Sequence, residues 1–286
     1  MGNDDHLTIK NSVLLPAEQD KLSVYRTRYQ LLDKLIENKI YWLLFTVFGL
    51  SILSKIFIIP RLGAVWFPYS DEHLFIEMAK SLYYHHNFVS NVFFYIKQYN
   101  EWLFPLLLSP LYIFYSPDHI ITIFRIFGLI LMSSAVFPAY KLSLALLDNK
   151  KKALFISIIA ISIPEMTLAF SVTQEVVYYP LFLFALYLIY QNINGENNTI
   201  FLGIVLYLLW VTKAVGLSIF LGYIVFLLFE LVFVDKFKSH NRTIIKIVTL
   251  VVVVLGLREI ISLGIRYANS GSFEIVNDPY AIGVFD

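Results

Sequence analysis

The chain alternates between long apolar segments and shorter polar ones. A helix of roughly 20 residues crosses a bilayer core about 30 Å thick, and by that measure seven apolar segments are candidate spans. They cover residues 40–60, 119–147, 153–170, 174–191, 199–213, 214–234 and 243–265. The pattern therefore predicts an all-α polytopic membrane protein with about seven transmembrane helices.

The boundary between the fifth and sixth spans follows from length. Residues 199–234 carry only Lys213 and Glu230 as charged side chains, and as one helix they would be about 54 Å long. That length is nearly twice the thickness of the core. We therefore expect the chain to turn back at residues 213–216.

The connection between the first two spans contains an amphipathic stretch, YSDEHLFIEMAKSLYY (69–84). Ser70 can cap a helix here, and apolar residues at helical spacing would share one of its faces. The first turn of this helix would hold Asp71 and Glu72. Acidic side chains are favourable in a first turn because of the helix dipole, so a purely structural role for this pair stays open.

Composition supports the assignment to membrane proteins. Hydrophobic residues make up 58% of the chain and charged residues 15%, with a mean hydropathy of +0.69, outside the usual range of soluble domains. The net charge is +1 and no long basic block occurs, so no nucleic-acid partner is expected. The absence of cysteine excludes disulfides, thiolate metal sites and a cysteine nucleophile.

Basic residues in the connections predict the orientation in the membrane. Three basic clusters fall on one side only if residues 103–116, a short stretch with two prolines, do not cross fully. We expect that stretch to be re-entrant or to lie on the membrane surface. The predicted domains are a cytosolic N-terminal segment with an amphipathic helix (1–39), a transmembrane module (40–265) with an extracytoplasmic loop (61–118), and an extracytoplasmic tail (266–286).

This orientation puts the ionisable residues near the apolar segments mostly at the extracytoplasmic end. They are Lys55, Arg125, Glu165, Glu175, Lys213, Arg258 and Glu259. Charges inside a membrane are costly and usually line a polar cavity, which predicts one cavity that opens outward. The alternative is that each side chain separately extends to the lipid headgroups.

Several of these residues occur in an order that resembles a known family. Asp71-Glu72 follows the first span, a Pro-Leu segment comes next (Glu101 to Leu106), Arg125 enters the following span, and Thr212-Lys213 precedes Gly216. Together they look like the membrane glycosyltransferases of the C-type fold (GT-C), such as the protein O-mannosyltransferases and the lipid A aminoarabinose transferases. The stretch IPEMTLAFSVTQEVVYYP (163–180) is similar to that family's second outer loop, where a further acidic residue is expected, here Glu175 or else Glu165.

The resemblance implies an inverting glycosyltransferase of the cell envelope. It would use a polyprenyl-phosphate sugar on the extracytoplasmic face of the membrane. An acceptor hydroxyl needs a base within hydrogen-bond reach, and the implied catalytic residues are Asp71 as that base with Glu72 and Glu175. The leaving phosphate needs fixed cations, and Arg125 and Lys213 would supply them, with Glu101 contacting the donor.

The resemblance also bears on the expected cofactors and partners. It leaves open a divalent cation, Mg²⁺ or Mn²⁺, held by Asp71 and Glu175, and the sequence predicts no dedicated metal site. The expected partners are the lipid-linked donor, membrane lipid, and a protein, lipid or glycan acceptor, with a partner subunit left open.

Two other function classes compete with the enzyme. A lipid-linked-sugar transporter or flippase would tend to show internal repeats and charges near the midplane, but no repeat is found here and the charges gather at one end. The second alternative is a non-catalytic membrane subunit of a glycosylation complex, which binds lipid or a partner protein.

Overall fold

A computed structural model describes residues 39–57, 70–86, 101–114, 119–162, 170–234 and 240–270 of the chain. Within these residues the structure is helical and has no strand. The helices are α1 (Lys39–Ile56), α2 (Ser70–His85), α3 (Leu103–Leu108) with a 3₁₀ continuation (Ser109–Phe114), α4 (Ile120–Ser133), α5 (Val136–Leu147), α6 (Lys150–Ala160), α7 (Glu175–Ile193), α8 (Thr199–Thr212), α9 (Gly216–Phe229) with a π-helical continuation (Glu230–Val234), and α10 (His240–Ser270). The predicted all-α class is confirmed.

The chain divides into two compact units, Met1–Thr46 and Val47–Asp286. In the first unit the structure describes only the beginning of α1, where the Thr46 hydroxyl donates to the Trp42 carbonyl at 2.9 Å. The second unit contains α2 to α10 and all of the described site residues.

Four helical segments are long and apolar enough to cross a membrane. They are Lys39–Ile56, Ile120–Leu147, Glu175–Ile193 and Gly216–Phe233. The number of seven spans stays a prediction. Helix α6 has 11 residues and α8 has 14, which correspond to helices of only about 16 and 21 Å, and α10, although it has 31 residues, is not among the four. The span predicted at 153–170 is interrupted after Ala160, and part of it, 163–169, lies outside the described residues.

The amphipathic helix predicted over 69–84 is confirmed as α2. Its buried face carries Phe75, Ile76, Met78 and Ala79, the period expected of a helix that packs on one side. The Phe75 ring meets Phe104 of α3 edge-on, with centroids 5.4 Å apart, and the Tyr112 hydroxyl donates to the Ile76 carbonyl at 3.0 Å. The segment 101–114 is therefore the surface on which α2 rests.

The reversal predicted at residues 213–216 is also confirmed, because α8 ends at Thr212 and α9 begins at Gly216. Lys213 has extended backbone angles, φ −153° and ψ 134°. The Gly216 N–H donates to the Lys213 carbonyl at 2.8 Å. A Cβ atom on Gly216 would lie 2.4 Å from the Leu209 carbonyl group, so the turn needs glycine for close backbone approach.

Helices α7 and α8 are antiparallel, and their contacts define two ends of the assembly. Lys213 at the end of α8 pairs with Glu175 at the start of α7; we call this the Lys213 end. Asn192 near the end of α7 donates to Thr199 at the start of α8 at 2.9 Å; we call this the Asn192 end.

A buried polar network holds the Asn192 end together. The Asn192 side chain is fully buried, donates to Asn198 at 2.8 Å and accepts from the Tyr223 hydroxyl of α9 at 2.7 Å. The Lys246 ammonium of α10 donates to the Asn192 backbone carbonyl at 2.6 Å, and Arg242 donates to the Gly195 carbonyl. Two cations thus bind carbonyls at the C-terminal end of α7, where the helix dipole favours positive charge.

Helix α10 runs parallel to α8 along its length. At Gly203 an added Cβ would lie 2.9 Å from the Val253 side chain, so the two helices approach closely through this glycine. Farther toward the Lys213 end, the Arg258 guanidinium lies 5.4 Å from the centroid of the Trp210 ring.

The glycine at the α8–α9 turn gives a first test. We expect Gly216→Ala to destabilise the protein by about 1–3 kcal/mol, because the new methyl group overlaps backbone that cannot move aside freely. The measurement is the thermal unfolding midpoint of the purified protein in detergent.

The matched control is Gly222→Ala in the same helix, where nothing lies within 4 Å of the added atom. Alanine favours helix over glycine by about 1 kcal/mol, so this variant should be as stable as the natural protein or more stable. Equal midpoints for the two variants would show that the turn does not depend on close approach.

Candidate functional site

The site at the Lys213 end is built around one ion pair. The Lys213 ammonium lies 2.5 Å from Glu175 Oε1, and the two side chains are 31% and 28% exposed. Lys213 terminates α8 and Glu175 opens α7, so an acid at a helix start and a base at a helix end meet where each helix dipole favours it. Both charges stay partly accessible.

Glu101 and Gln174 hold the turn that carries Lys213. Glu101 Oε1 accepts from the Ala214 N–H at 3.0 Å. The buried Gln174 amide, in the orientation that satisfies its neighbours, donates to the Thr212 carbonyl at 2.6 Å and to Glu101 Oε2 at 3.2 Å. The residues on either side of Lys213 are therefore fixed by one pair of side chains, and both oxygens of Glu101 are bonded to protein groups.

The segment that begins with Glu101 is itself anchored on α8. The ring of Trp102 lies 6.5 Å from that of Tyr207. Trp102 and Tyr207 are both buried. This contact sets the position from which Glu101 reaches the turn.

Two buried side chains, Glu72 and Arg125, make up a second group; they are linked by the effect of the Arg125 charge on Glu72 and not by a direct ion pair. Each side chain is only 2% exposed, and Glu72 Oε1 accepts from the Val172 N–H at 3.0 Å. Burial raises the pKa of Glu72 above its ordinary value, while the Val172 hydrogen bond and the Arg125 charge act in the opposite direction. A carboxylate is retained in such a place only with partners of this kind.

The segment 172–175 joins the two groups. Val172 bonds to Glu72, Gln174 bonds to the Lys213 turn, and Glu175 pairs with Lys213 itself. Four consecutive residues thus connect α2 with the end of α8. The stretch belongs to the loop that the resemblance singled out.

The structure brings five of the six predicted site residues to this end. Glu101, Glu175 and Lys213 share one group, and Glu72 lies with Arg125 in the other. Asp71 lies in the first turn of α2, and its side chain is outside the described residues.

The other ionisable residues predicted at this end have separate surroundings. Glu165 lies outside the described residues. Arg258 packs over Trp210 and lies 3.7 Å from the neighbouring Glu259. The Lys55 ammonium donates to the Ile161 carbonyl at 3.2 Å, so it binds a neighbouring helix end instead of extending away from the protein.

Two positions that organise the site were not predicted. Gln174 stands beside the predicted Glu175, but nothing in a single glutamine signals that it bridges two distant segments. Val172 contributes only its backbone N–H, which leaves no trace in a sequence.

The Lys213–Glu175 pair offers an ammonium and a carboxylate to a ligand. In the part of the chain that the structure describes, no three histidine, aspartate or glutamate side chains are grouped as metal ligands. An accessible ammonium on a fixed turn can bind a phosphate as a point charge, and a partly exposed carboxylate beside it can accept a proton.

Comparison with protein-family models, with curated proteins and with solved structures finds no match to this chain. The similarity to the C-type glycosyltransferases therefore rests on the order of the residues in the sequence.

The buried Glu72 gives a test with a pH dependence. Because its pKa is raised above the ordinary value of 4.5, folding favours the protonated form, and the associated stability is present at low pH and lost as the pH rises through the raised pKa. Glu72→Gln keeps an oxygen for the Val172 N–H and cannot ionise. At each pH we compare the thermal unfolding midpoint of Glu72→Gln with that of the natural protein. We expect this difference to shift in favour of the variant as the pH is raised from 4.5 to 7.5.

The companion variant Glu72→Ala removes the acceptor and leaves a buried N–H unpaired, at a cost of about 1–3 kcal/mol. It should be less stable than Glu72→Gln at every pH. If the pH profiles of the natural protein and Glu72→Gln are parallel, the carboxyl group does not titrate differently on folding.

Proposed function

We propose that this chain is a membrane glycosyltransferase that transfers a sugar, with inversion, from a polyprenyl phosphate to an acceptor hydroxyl. One observation carries the proposal. Acidic and basic residues that are far apart in the sequence, from Glu72 to Lys213, lie in two linked groups at one end of a set of apolar helices. Charges are concentrated in this way where a membrane protein handles a polar substrate.

The reaction assigns a role to the acidic residues. A carboxylate takes the proton of the acceptor hydroxyl while that oxygen attacks the anomeric carbon of the sugar and the bond from that carbon to the phosphate oxygen breaks. Asp71 is the proposed base, in the first turn of α2. Glu72, its buried neighbour, holds that helix start against Val172.

The leaving group is a lipid phosphate, whose growing negative charge needs a nearby cation. Lys213 is the direct contact in this proposal, because its ammonium is partly exposed. Arg125 is buried and acts through Glu72, whose ionised form it favours. Glu101 acts through the backbone of the Lys213 turn, which changes its expected role from donor contact to positioning residue.

The proposal retains seven crossings, a cytosolic N-terminus and a site on the extracytoplasmic face. The directions of α1, α6 and α7 support this arrangement, because the end of α1, the end of α6 and the start of α7 lie together. Lys55 at the end of α1 binds the carbonyl of Ile161, directly after α6, and the Tyr179 hydroxyl at the start of α7 donates to Ala160 at the end of α6, at 3.1 Å. The basic residues 150–152 and Arg242 then belong to the opposite, Asn192 end.

Transfer in reconstituted vesicles tests the enzyme. With polyprenyl phosphate mannose, glucose or aminoarabinose as donor, we expect Asp71→Asn to lower turnover by about 100-fold or more, the range for loss of a general base. Lys213→Ala should raise the KM for the donor. Folding is followed by the unfolding midpoint of each variant.

The matched control is Asp148→Asn in the α5–α6 turn, outside the site. Asp148 has a left-handed backbone conformation (φ 46°), which asparagine tolerates. Turnover should therefore not change. If the folded natural protein transfers none of these sugars to protein, lipid or glycan acceptors, the proposal fails.

A non-catalytic, lipid-binding subunit is the second candidate. The observation in its favour is the burial of both Glu72 and Arg125, since fully enclosed charges are also used to hold a fold together. Binding of the donor without turnover, and turnover only after a second polypeptide is added, would identify this function.

A further inference from the structure

The backbone of Lys213 is more tightly fixed than its side chain. Glu101 and Gln174 bond to the residues on both sides of it, and Gly216 lets α9 start against the α8 backbone. The ammonium, by contrast, is bonded among the described residues to one carboxylate, that of Glu175. Its position is therefore set by the turn, and its partner is replaceable.

The Lys213–Glu175 pair is accessible from outside the protein. About a third of each side chain is exposed, and ion pairs with that exposure contribute little to stability because water screens them. Exchange of the carboxylate for another anion therefore costs little. A phosphate group brings at least as much negative charge as the carboxylate that it displaces.

A released Glu175 has other partners within reach. The Thr173 hydroxyl lies close to the Glu175 carboxylate, and Ser171 Oγ lies 3.3 Å from Thr173 Oγ1. After a small movement, a displaced carboxylate could accept hydrogen bonds from these hydroxyl groups. The contact that occupies the ammonium therefore has hydroxyl donors beside it.

We propose that Glu175 is a built-in competitor of the anion site on Lys213. Its carboxylate occupies the ammonium in the absence of substrate, and the phosphate of a lipid-linked donor displaces it. This inference rests on the proposed function and adds a regulatory step to it. A carboxylate becomes available beside the substrate only when the phosphate has bound.

Binding measurements test the competition without any transfer reaction. The full chain, in nanodiscs of phosphatidylcholine, is titrated with polyprenyl monophosphate and, separately, with inorganic phosphate. Because exposed ion pairs are worth up to about 1 kcal/mol, Glu175→Gln should bind polyprenyl monophosphate about two- to fivefold more tightly than the natural protein. Glu175→Asp, whose shorter side chain weakens the pair, should show a smaller gain and serves if the glutamine variant does not fold.

Two variants separate the pair from general charge effects. Glu196→Gln makes the same change in net charge in the exposed α7–α8 connection at the Asn192 end and should leave both affinities unchanged. In Lys213→Met the anion site is lost, so adding Glu175→Gln to it should give no further gain, as expected for two residues that act through one contact.

Each outcome decides the matter. Tighter binding of both phosphates supports a site that recognises the phosphate alone, and tighter binding of only the polyprenyl form supports one that also needs the lipid tail. Unchanged affinity in Glu175→Gln and Glu175→Asp, or an equal gain in Glu196→Gln, overturns the competition. If competition is observed but no sugar is transferred, only the proposed function fails. If sugar is transferred but Glu175→Gln binds the phosphates with the same affinity as the natural protein, only this inference fails.

Discussion

The fixed turn between α8 and α9 is the constraint on which the Lys213 end depends. Two apolar helices reverse within a few residues, which requires Gly216 to lie against the backbone at Leu209. The polar groups exposed by that reversal are bonded to Glu101 and Gln174. Backbone groups that lose their helical partners need other hydrogen bonds, so the same bonds that satisfy the turn also fix the origin of the Lys213 side chain.

The two ends of the helix assembly treat charge differently. At the Asn192 end, amides and hydroxyls bond to each other inside the protein, and Lys246 and Arg242 bind backbone carbonyls. That arrangement closes the ends of α7 and α8 and leaves Asn192 fully buried. At the Lys213 end, Glu72 and Arg125 are buried, and the Lys213–Glu175 pair stays partly exposed.

Burial divides the predicted site into two kinds of residue. Glu72 and Arg125 are enclosed, and an enclosed charge is costly unless its partners stay in place. Glu175 and Lys213 are partly exposed, so their pairing is weak and exchangeable. Glu72 is linked to the exposed pair through the short segment that runs from Val172 to Glu175.

Much of this was readable in the sequence, because it follows from periodicity and length. The bounds of α2, the reversal at 213–216 and the apolar helices follow from helical spacing and from the limits that a bilayer sets on helix length. The break after Ala160 differs from the expected span at 153–170. An apolar stretch indicates that a helix would be stable in a bilayer. It does not indicate the residue at which that helix ends.

The sequence by itself determined the helical class and the presence of helices long and apolar enough to cross a membrane, because these depend on local pattern. Only the tertiary structure decided that Glu101 and Gln174 hold a backbone turn, that Arg125 is enclosed with Glu72, and that Glu175 occupies Lys213. The physical reason is that partner choice and burial arise from contacts between segments a hundred residues or more apart. Such contacts depend on how the helices pack around each side chain. A glutamate or an arginine has the same letter in the sequence whether it is buried or exposed.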